Sequence, residues 1–555
     1  MKRILVLITA LMLMVTAIPS LAAENEYDEQ GRLVRYGEPV HLTAYFCRSN
    51  PRFNEGDDIN HNIWIDTYKE KYNIDLEIVV LANGEDYKQK LTMAIASNSL
   101  PDLMYLDGSS YVQLAKAGKL REVTDLFDLY TGDILRTTLM GDDQAVFKQA
   151  VIDGHLYGLP KTKGMIWPGS ILYIRQDWLK KLNLATPKTF DDVVEIARAF
   201  TFNDPDGNGK DDTYGLGLNN EMIAAADAGS VQGVLAAYGG FTNTWIYNEE
   251  DGTVEYGALR HGTRDGLQKL ASMFAEGLID VEFGVKNADN VGEDIAAGKI
   301  GMYYGTAGGN LSFLNDCTLN DPSADWITIA APDLNGDMAT VGSSYVLADF
   351  FAVNQNCEYP EAMFLLANCF QNIINNPETT QETLDMYGID PVTGVNKASY
   401  PYFACDPAVS KDIAYMKAIR NVREGKADES TLAPEAAKYW NGVKKFEADG
   451  RVIDPDNRWA WQYNMNYGTG CSIDRYLEEY ESGHMVMSAW FGVPTKTMAK
   501  KMSTLEARQA EVFTKIISGS ESIEAFDSFV EEWYRLGGAD ITTEVMEWYK
   551  EYYLN

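Results

Sequence analysis

The sequence has few of the residues on which zinc, redox and nucleophilic chemistry depends. Its 555 residues include 5 histidines and 6 cysteines. No pair of cysteines has CxxC spacing, and the motifs HExxH and GxSxG do not occur. A zinc cluster, a redox centre and a hydrolase nucleophile are therefore not expected. The cysteines form disulfides or stay as buried free thiols, and their spacing does not decide between the two. They are Cys47, Cys317, Cys357, Cys369, Cys405 and Cys471.

Positive charge is also scarce. The chain has 47 Lys and Arg against 81 Asp and Glu, which gives a formal net charge of −34. Such an acidic surface is repelled by phosphate backbones and by anionic lipids. Nucleic acids and anionic membranes are therefore not expected as partners.

Long apolar runs are missing except at the amino terminus. Lys2 and Arg3 precede an apolar stretch from Ile4 to Ile18, and Ser20–Ala22 supplies small residues before a cleavage point. This layout is typical of a secretory signal peptide over residues 1–23, and the run is short for a membrane span. An uncleaved amino-terminal anchor is the alternative. We expect an exported protein, located outside the cell, at its surface or in the periplasm.

The first part of the mature chain alternates between strand and helix patterns. A chain of this length also exceeds one ordinary core, so two or more domains are expected. Alternating strands and helices indicate βαβ units and a mainly parallel sheet. Strands are predicted at Val40–Phe46, Ile74–Leu81 and Leu103–Leu106, with helices at Ile63–Tyr72, from Gly84, and from a capping box at Ser110–Gln113.

Two polar residues directly follow predicted strands. Arg48 comes after the first strand and Asp107 after the third. In open α/β sheets, ligands bind beyond the carboxyl ends of the strands. We therefore predict that Arg48 and Asp107 contact a ligand, although either could be a solvated surface charge.

A second α/β region begins after residue 160. Strands are predicted at Ile171–Arg175, Ile300–Tyr304 and Tyr345–Val353, and Thr189 caps a helix from Phe190 to Phe200. Near the carboxyl terminus, Ser503 and Glu506 predict a capping box, and Gly537–Gly538 predicts a helix end. Residues 375–457 mix short helices with Pro, Gly and polar residues, and their place in the fold does not follow from the pattern.

An acidic loop beginning at Asp204 has the spacing of a calcium site. Oxygen-bearing side chains occupy its first, third, fifth and ninth positions, and Gly209 at position six permits the sharp turn. At position twelve Gly215 replaces the bidentate glutamate of an EF-hand, which favours a static structural Ca²⁺ site over a sensor. A polar turn without metal is the alternative. The candidate ligands are Asp204, Asp206, Asn208, Lys210, Asp212 and Thr213, with Lys210 contributing its carbonyl.

Linked motifs along nearly the whole mature chain resemble extracellular solute-binding protein family 1, and most closely the subgroup with alginate-binding and LipO-type proteins. These motifs are the loop above together with Pro101–Leu103, Tyr157–Pro160, Leu172–Leu179, Pro187–Phe190, Glu276–Asp280, Gly298–Met302, Phe491–Thr495, Phe526–Asp527 and Gly537–Gly538. Many members carry a lipobox cysteine at the cleavage site, whereas the first cysteine here is Cys47.

The resemblance implies a two-lobed α/β fold of the type II periplasmic-binding-protein kind. It further implies that the lobes close on a carbohydrate, commonly an oligosaccharide, and that an ABC transporter permease receives it. We expect a monomer with no catalytic residues. We assign residues 24–165 to the first lobe, 166–345 to the second, 346–470 to a return to the first lobe with an irregular insertion, and 471–555 to a helical tail on the second.

Sugar sites combine aromatic platforms with polar groups that hydrogen-bond hydroxyls. Aromatic residues are 12% of this chain, so we favour those in loops and at strand ends. Core packing is the alternative for each aromatic residue and is the role assigned to Trp178, Trp533 and Trp548. The remaining candidate ligand contacts are Lys163, Trp167, Trp245, Tyr304, Trp459, Trp461 and Trp490.

Two other functional classes stay open. A binder of peptides or lipid-like solutes could use the same frame. An exported carbohydrate-active enzyme needs two carboxylates across the scissile bond, and 81 acidic residues do not exclude such a pair by counting.

Overall fold

The computed structural model describes residues 24–48, 52–141, 144–161, 165–310, 313–346, 348–404, 411–452 and 458–554. The predicted signal peptide, Lys163 and Cys405 lie outside these ranges. The strands are β1 (Glu26–Tyr27), β2 (Leu33–Arg35), β3 (Val40–Cys47), β4 (Ile74–Ala82), β5 (Leu103–Leu106), β6 (Val151–Ile152), β7 (His155–Leu156), β8 (Gly158–Lys161), β9 (Met165–Ile166), β10 (Ile171–Arg175), β11 (Trp245–Asn248), β12 (Thr253–Tyr256), β13 (Met302–Gly305), β14 (Trp326–Ile329), β15 (Val341–Tyr345), β16 (Asp349–Val353) and β17 (Met485–Met487).

Helices account for most of the remaining regular structure. They are α1 (Ile63–Tyr72), α2 (Gly84–Ser97), α3 (Gly108–Lys116), α4 (Thr124–Tyr130), α5 (Asp133–Met140), α6 (Ala145–Lys148), α7 (Gln176–Lys181), α8 (Phe190–Phe202), α9 (Gln232–Ala237), α10 (His261–Ala275), α11 (Ala288–Ala296), α12 (Phe313–Asn320), α13 (Ala362–Ile374), α14 (Gln381–Tyr387), α15 (Lys411–Arg423), α16 (Pro434–Ala448), α17 (Arg458–Tyr467), α18 (Ser472–Glu481), α19 (Met498–Ile517), α20 (Glu524–Trp533) and α21 (Ala539–Tyr549).

Side-chain caps fix where several helices begin. Thr189 caps α8, as the sequence predicts, and the structure adds a reciprocal capping box with Asp192. The capping box predicted from Ser110 is wrong. Asp107 caps α3 instead, because its carboxylate accepts the backbone N–H of Ser110 at 2.8 Å. Ser503 also lies inside α19 and caps nothing, since that helix already begins at Met498.

The first sheet has the strand order β4-β3-β5-β16-β8. Strands β3, β4 and β5 are parallel, and β16 is antiparallel to both β5 and β8. The carboxyl ends of β3, β4, β5 and β8 therefore share one edge with the amino end of β16. Trp64 and Tyr68 of α1 are fully buried behind this sheet, and burying a large apolar side chain contributes about 1.5–3 kcal/mol.

The second sheet has the order β13-β10-β14, with both outer strands antiparallel to β10. All five residues of β10 are buried. Tyr173 stacks on Tyr303 of β13 with ring centroids 4.8 Å apart. Trp178 is also buried, in contact with Phe200 of α8, so its predicted packing role is confirmed.

A small crossing sheet, β17-β15-β9, contains two of the segments that pass between the larger sheets. Along the chain, β9 comes after β8 of the first sheet and before β10 of the second. In the same way, β15 comes after β14 of the second sheet and before β16 of the first. The sequence predicts one strand over Tyr345–Val353. That prediction is wrong, because Tyr345 ends β15 and Asp349 begins β16 in a different sheet.

The segment 346–470 divides at about residue 404. Tyr402 and Phe403 pack against Phe351 of the first sheet. In contrast, α17 contacts α12, and the following helix α18 contacts β10 and β14 of the second sheet. The structure therefore groups the helices after Lys411 with the second lobe, which differs from the expected assignment of the whole segment to the first.

The carboxyl-terminal helices α19, α20 and α21 pack on the second lobe. Trp533 is buried and stacks on Tyr256 at 5.3 Å, and Trp548 lies at 4.8 Å from Trp490. Gly537 adopts φ 134°, a conformation that favours glycine, and it marks a kink between α20 and α21.

The five cysteines in the described residues carry free thiols. Among the helices that the structure describes, none has the length and apolar character needed to cross a membrane.

Candidate functional site

The first sheet presents a group of charged and hydroxyl side chains at its shared strand edge. We call Arg48, Tyr105, Asp107, Lys161 and Asp349 the charged edge. Arg48 follows β3, and its guanidinium lies 5.9 Å from the centre of the Phe46 ring. Burial lowers the pKa of Arg48 from its ordinary value. The strand ends thus place both predicted residues at one edge, although the Asp107 carboxylate is engaged in capping α3.

Three members of the charged edge were missed by sequence reasoning. Lys161 pairs in register with Asp349, and its ammonium lies 5.3 Å from the centre of the Tyr105 ring. The Tyr105 hydroxyl donates a hydrogen bond to the Asp349 carboxylate. Lys161 could have been predicted from the sequence as an edge residue, because it is the last residue of a short strand. Asp349 was hidden because the sequence reading joined β15 and β16 into one strand.

On the second lobe, α18 supports the segment that leads into β10. We call residues 167–170 the pocket wall. Trp167 is half-buried and stacks on Tyr476 of α18, with centroids 4.8 Å apart and ring planes 19° from parallel. The Tyr476 hydroxyl donates to the Pro168 carbonyl at 2.9 Å and accepts the Ala307 N–H at 3.0 Å. A planar indole supported in this way is a suitable platform for the C–H face of a sugar.

A pocket of about 340 Å³ lies beside the crossing sheet. It is bounded by Pro168 of the pocket wall, by β15, by the segment after β17 and by the first half of α19, and we call it the hinge pocket. Trp167 lies next to Pro168 but is not among the lining residues. Two of the predicted aromatic contacts, Trp245 and Trp490, line it. The lining residues are Pro168, Ala225, Gln232, Asn243, Thr244, Trp245, Gly342, Ser343, Ser344, Ser488, Trp490, Pro494, Met498, Ala499, Met502 and Glu506.

Neutral hydrogen-bonding groups dominate the polar lining of the hinge pocket. Gln232 accepts the Gly169 N–H at 2.8 Å and donates to the Thr242 hydroxyl at 3.0 Å. Ser488 donates to the Trp490 carbonyl at 2.9 Å. Glu506 is the one carboxylate in the described lining, and burial raises its pKa.

The crossing strand approaches the pocket very closely at Gly342. A Cβ atom there would lie 2.0 Å from the Thr244 hydroxyl oxygen, far inside contact distance. Any side chain at this position would therefore push β15 away from the residues that line the pocket. The strand that passes between the lobes is thus packed directly against the candidate site.

The other predicted aromatic contacts are placed differently. Tyr304 is fully buried with its ring over Gly233, so it is a core residue, which does not agree with the expected ligand contact. Trp461 is 5% exposed and also packs in the core. Trp459 is 42% exposed on α17, 5.8 Å from Tyr463, and it is not among the residues that line the hinge pocket.

The acidic loop follows α8 and folds back on itself. Gly207 and Gly209 both adopt positive φ, and their N–H groups donate to Asp204. Burial opposes ionisation of Asp204, but the hydrogen bonds led by that from Gly209 hold its pKa below the ordinary value. Burial, together with the neighbouring carboxylates, raises the pKa of Asp206.

The loop oxygens fit a hard cation in part. The Asn208 amide donates to Asp206 at 2.7 Å and to Asp212 at 3.0 Å, so both carboxylates face the same side chain. A cation held by them requires that Asn208 turn its Oδ1 inward, as Ca²⁺ prefers oxygen ligands. The Thr213 hydroxyl donates to Phe200, which leaves its carbonyl as the group that could contribute. Within the described residues, no group of three or more His, Cys, Asp or Glu side chains is arranged to hold a metal.

A second, more open cavity of about 470 Å³ lies around Tyr238, Arg260 and His261. The Arg260 guanidinium in this cavity already has partners, because its Nε lies 3.0 Å from Glu255 Oε1 and the group lies over the Phe241 ring. We base the candidate site on the hinge pocket, which has the crossing strand in its lining.

Two α/β sheets, strands that cross between them and a pocket beside the crossing strand define a two-lobed binding protein. The family model of the bacterial extracellular solute-binding protein matches residues 61–372, and the chain belongs to that family. The resemblance predicted from the sequence motifs is therefore confirmed.

Three curated relatives are each 30% identical to the chain over part of its length. They are the polygalacturonan/rhamnogalacturonan-binding protein YtcQ and the lipoprotein LipO of Bacillus subtilis (strain 168), and the fructooligosaccharide ABC transporter substrate-binding protein FusA of Streptococcus pneumoniae serotype 4. The matches cover 39%, 43% and 36% of this chain and 41%, 45% and 38% of the relatives. The chain thus spans less than half the length of each relative.

Solved structures share the fold over nearly the whole chain. An extracellular solute-binding protein from Bifidobacterium longum subsp. infantis has a TM-score of 0.60 at 16% identity, covering 95% of this chain and all of that one. The alginate-binding protein AlgQ2 without calcium ion has a TM-score of 0.53 at 15% identity, covering 92% of this chain and 98% of that one. An EF-hand mutant of FusA in complex with fructo-nystose has a TM-score of 0.55 at 18% identity, covering 93% and 99%. The predicted two-lobed fold class is confirmed.

Proposed function

We propose that the protein is the solute-binding component of an ABC importer, which captures an oligosaccharide between its two lobes and delivers it to a membrane permease. The hinge pocket carries this proposal. Trp490 supplies partly exposed aromatic surface, whereas the Trp245 ring is 3% exposed and packs on Tyr256 and Trp533 beneath the pocket. Gln232, Ser343 and Ser488 supply neutral hydrogen-bonding groups of the kind that sugar hydroxyls require.

The composition of the pocket favours binding without catalysis. Glycoside hydrolysis uses two carboxylates on opposite sides of the scissile bond, about 5–10 Å apart. The described lining of the hinge pocket contains a single carboxylate, that of Glu506. A zwitterionic peptide would leave its carboxylate end without a cationic partner, because the described lining contains no Lys or Arg.

Relatives support the choice of ligand class. YtcQ is a polygalacturonan/rhamnogalacturonan-binding protein, and FusA is a fructooligosaccharide ABC transporter substrate-binding protein. We infer that this chain binds a carbohydrate as an exported monomer, with closure of the lobes presenting it to the permease.

The experiment is a ligand panel scored by thermal stabilisation and calorimetry. The probes are kestose, a galacturonic acid trisaccharide, an alginate trisaccharide, a tetrapeptide and a short-chain phospholipid. A ligand at 100 times its Kd stabilises a folded protein by about 2.7 kcal/mol. We expect stabilisation by at least one sugar and no release of reducing ends. Stabilisation by the peptide or the lipid alone would contradict the carbohydrate assignment, and sugar turnover would contradict the binding assignment.

We further propose that the loop from Asp204 to Thr213 binds one structural Ca²⁺ ion. The carboxylates of Asp206 and Asp212, together with loop carbonyls, would hold it, and the ion would neutralise a loop that otherwise brings acidic groups together. The alginate-binding protein AlgQ2, solved without calcium ion, and FusA, solved as an EF-hand mutant, share the fold.

Chelation tests the calcium proposal. EDTA should lower the melting temperature of the wild type, and added Ca²⁺ should restore it. In Asp206→Asn both effects should be much smaller. The matched control is Asp333→Asn, which alters a similar Asx turn where Asp333 accepts the N–H groups of Asn335 and Asp337. This control should respond to EDTA as the wild type does. A wild-type melting temperature that EDTA leaves unchanged would overturn the proposal.

A further inference from the structure

Helix α18 connects the pocket wall to the body of the second lobe through two side chains one turn apart. Tyr476 stacks on Trp167 and hydrogen-bonds Pro168. Glu479, three residues later on the same face, accepts the Ser170 hydroxyl at 3.0 Å. Pro168 lines the hinge pocket, and Ser170 directly precedes β10. The two contacts therefore fix both halves of the wall.

Glutamate is an unusual residue type for holding the pocket wall from a buried position. Its side chain is fully buried, with 0% exposure, and its second oxygen, Oε2, has no hydrogen-bond partner. Ionised carboxylates are almost never buried without a partner, because desolvation costs several kcal/mol or more. Burial therefore favours the neutral carboxylic acid over the carboxylate at this position.

The elements that pack against α18 do not bring a cation to Glu479 in the part of the chain that the structure describes. These elements are α15, α17, β10 and β14. Nearby Glu478 acts against ionisation. The charged groups on α15, α18 and β10 pair with one another or with neighbouring loops: Lys417 and Arg420 with Glu481, Arg423 with Asp474, Arg475 with Glu478, and Arg175 with Asp177 and Asp321.

We propose that Glu479 is a positioning residue of the hinge pocket, which holds the pocket wall in its binding conformation only while it is a neutral acid. The proposal rests on the proposed function for its ligand, but not for the conformational effect. Burial raises the pKa of Glu479 to about 8, against which the Ser170 hydrogen bond works. Ionisation therefore falls within a range that a protein outside the cytoplasm can meet.

The consequence is pH-dependent binding. An ionised Glu479 must gain water or leave its site, and either movement releases Ser170 and the pocket wall. If only the neutral form binds, the apparent Kd is the intrinsic Kd divided by the neutral fraction, which gives a weakening of about tenfold at pH 9 relative to pH 6.5.

Hydrogen exchange of the ligand-free protein tests the conformational step. Peptides that include residues 165–175 are followed by mass spectrometry in the wild type and in Glu479→Gln, at pH 6.5 and pH 9. Comparing the two proteins at the same pH removes the intrinsic pH dependence of exchange. We expect equal protection at pH 6.5 and faster exchange in the wild type at pH 9. Equal protection at both pH values would overturn the proposal.

Two further variants serve as controls for the exchange experiment. Ser170→Ala removes the hydrogen bond without changing charge, so these peptides should exchange faster at both pH values. Glu481→Gln, which changes a partly exposed carboxylate on the same helix that pairs with Arg420, should behave as the wild type. If Glu479→Gln does not fold, the wild type and Ser170→Ala decide. The proposal then fails if the wild type at pH 9 does not approach the exchange of Ser170→Ala.

Binding titrations with kestose and with a galacturonic acid trisaccharide complete the test. The wild-type Kd should rise about tenfold between pH 6.5 and pH 9, and that of Glu479→Gln should stay constant. A constant wild-type Kd would overturn the proposal. If neither these sugars nor the rest of the panel bind, the carbohydrate assignment fails, while the exchange result still decides the role of Glu479.

Discussion

The charged edge of the first lobe and the hinge pocket of the second lobe are built in different ways. The charged edge consists of residues at or next to the strand ends that share one edge of a single sheet, so its chemistry comes from topology. The hinge pocket of the second lobe gathers residues from distant parts of the chain, from Pro168 to Glu506, and its chemistry is aromatic and mostly neutral. We therefore propose that the charged edge attracts and orients a ligand, and that the hinge pocket supplies the contact area that sets affinity.

The largest expected effect is the change in unfolding free energy with pH that Glu479 produces in the second lobe. Glu479 has a native pKa of about 8, above its ordinary 4.5, so the folded state retains a proton that the unfolded state releases between these values. Its contribution to stability is therefore complete below about pH 4.5 and is lost as the pH rises toward 8. By pH 7 the loss amounts to about 3 kcal/mol relative to a group that stays neutral.

Denaturant unfolding of the wild type and of Glu479→Gln from pH 5 to pH 9 measures this loss. The wild type should lose unfolding free energy relative to the variant as the pH rises, and the difference should level off above pH 8. Glu506 and Asp206, whose pKa values are also raised, are present in both proteins and cancel in the comparison. Parallel curves would mean that the second lobe contains no buried acid that loses its proton in this range.

A smaller effect, on sugar affinity, is expected from the aromatic lining of the hinge pocket. Trp490 lines the hinge pocket and lies 4.8 Å from Trp548, so Trp490→Ala should weaken sugar binding by about 2 kcal/mol, a factor of roughly 30. Trp459→Ala is the matched control. It removes a tryptophan that the sequence also proposed but that lies exposed on α17, and calorimetry should show an affinity close to that of the wild type. Equal losses in the two variants would move the binding surface away from the pocket.

How much the sequence could predict also differs between the two sides. The parallel strands β3, β4 and β5 of the first sheet were predicted almost to the residue, because each is a short, mostly apolar run of residues, and helix patterns separate the three. The crossing strand was not, because Tyr345 to Val353 is one apolar pattern and only pairing partners divide it between β15 and β16. Register with distant strands is tertiary information that a local pattern does not contain.

The candidate site shows the same limit. Arg48 was identified from its position after a strand, a local signal. Trp245 and Trp490 were proposed for being aromatic residues outside helices, and the same rule selected Tyr304, which is buried over Gly233. Ser343, Gln232 and Glu479 have no local signal, because their roles depend on which segments β15 and α18 contact.

The smallest effect on sugar affinity is expected from the charged edge. Its dependence on ligand charge and on salt distinguishes the charged edge most directly from the hinge pocket. Arg48→Ala removes a partly exposed guanidinium, so affinity for a neutral sugar such as kestose should fall by no more than about 1 kcal/mol. For a galacturonic acid trisaccharide the loss should be larger in 50 mM salt and should shrink in 500 mM salt, since the Debye length falls to a few ångströms. The control is Lys90→Ala, which removes an ammonium that pairs with Asp86 on α2 and is not part of the charged edge. A loss that is equal for both sugars and insensitive to salt would mean that Arg48 contributes packing over Phe46 rather than charge, and the contrast between an electrostatic first lobe and an aromatic second lobe would fail at its first residue.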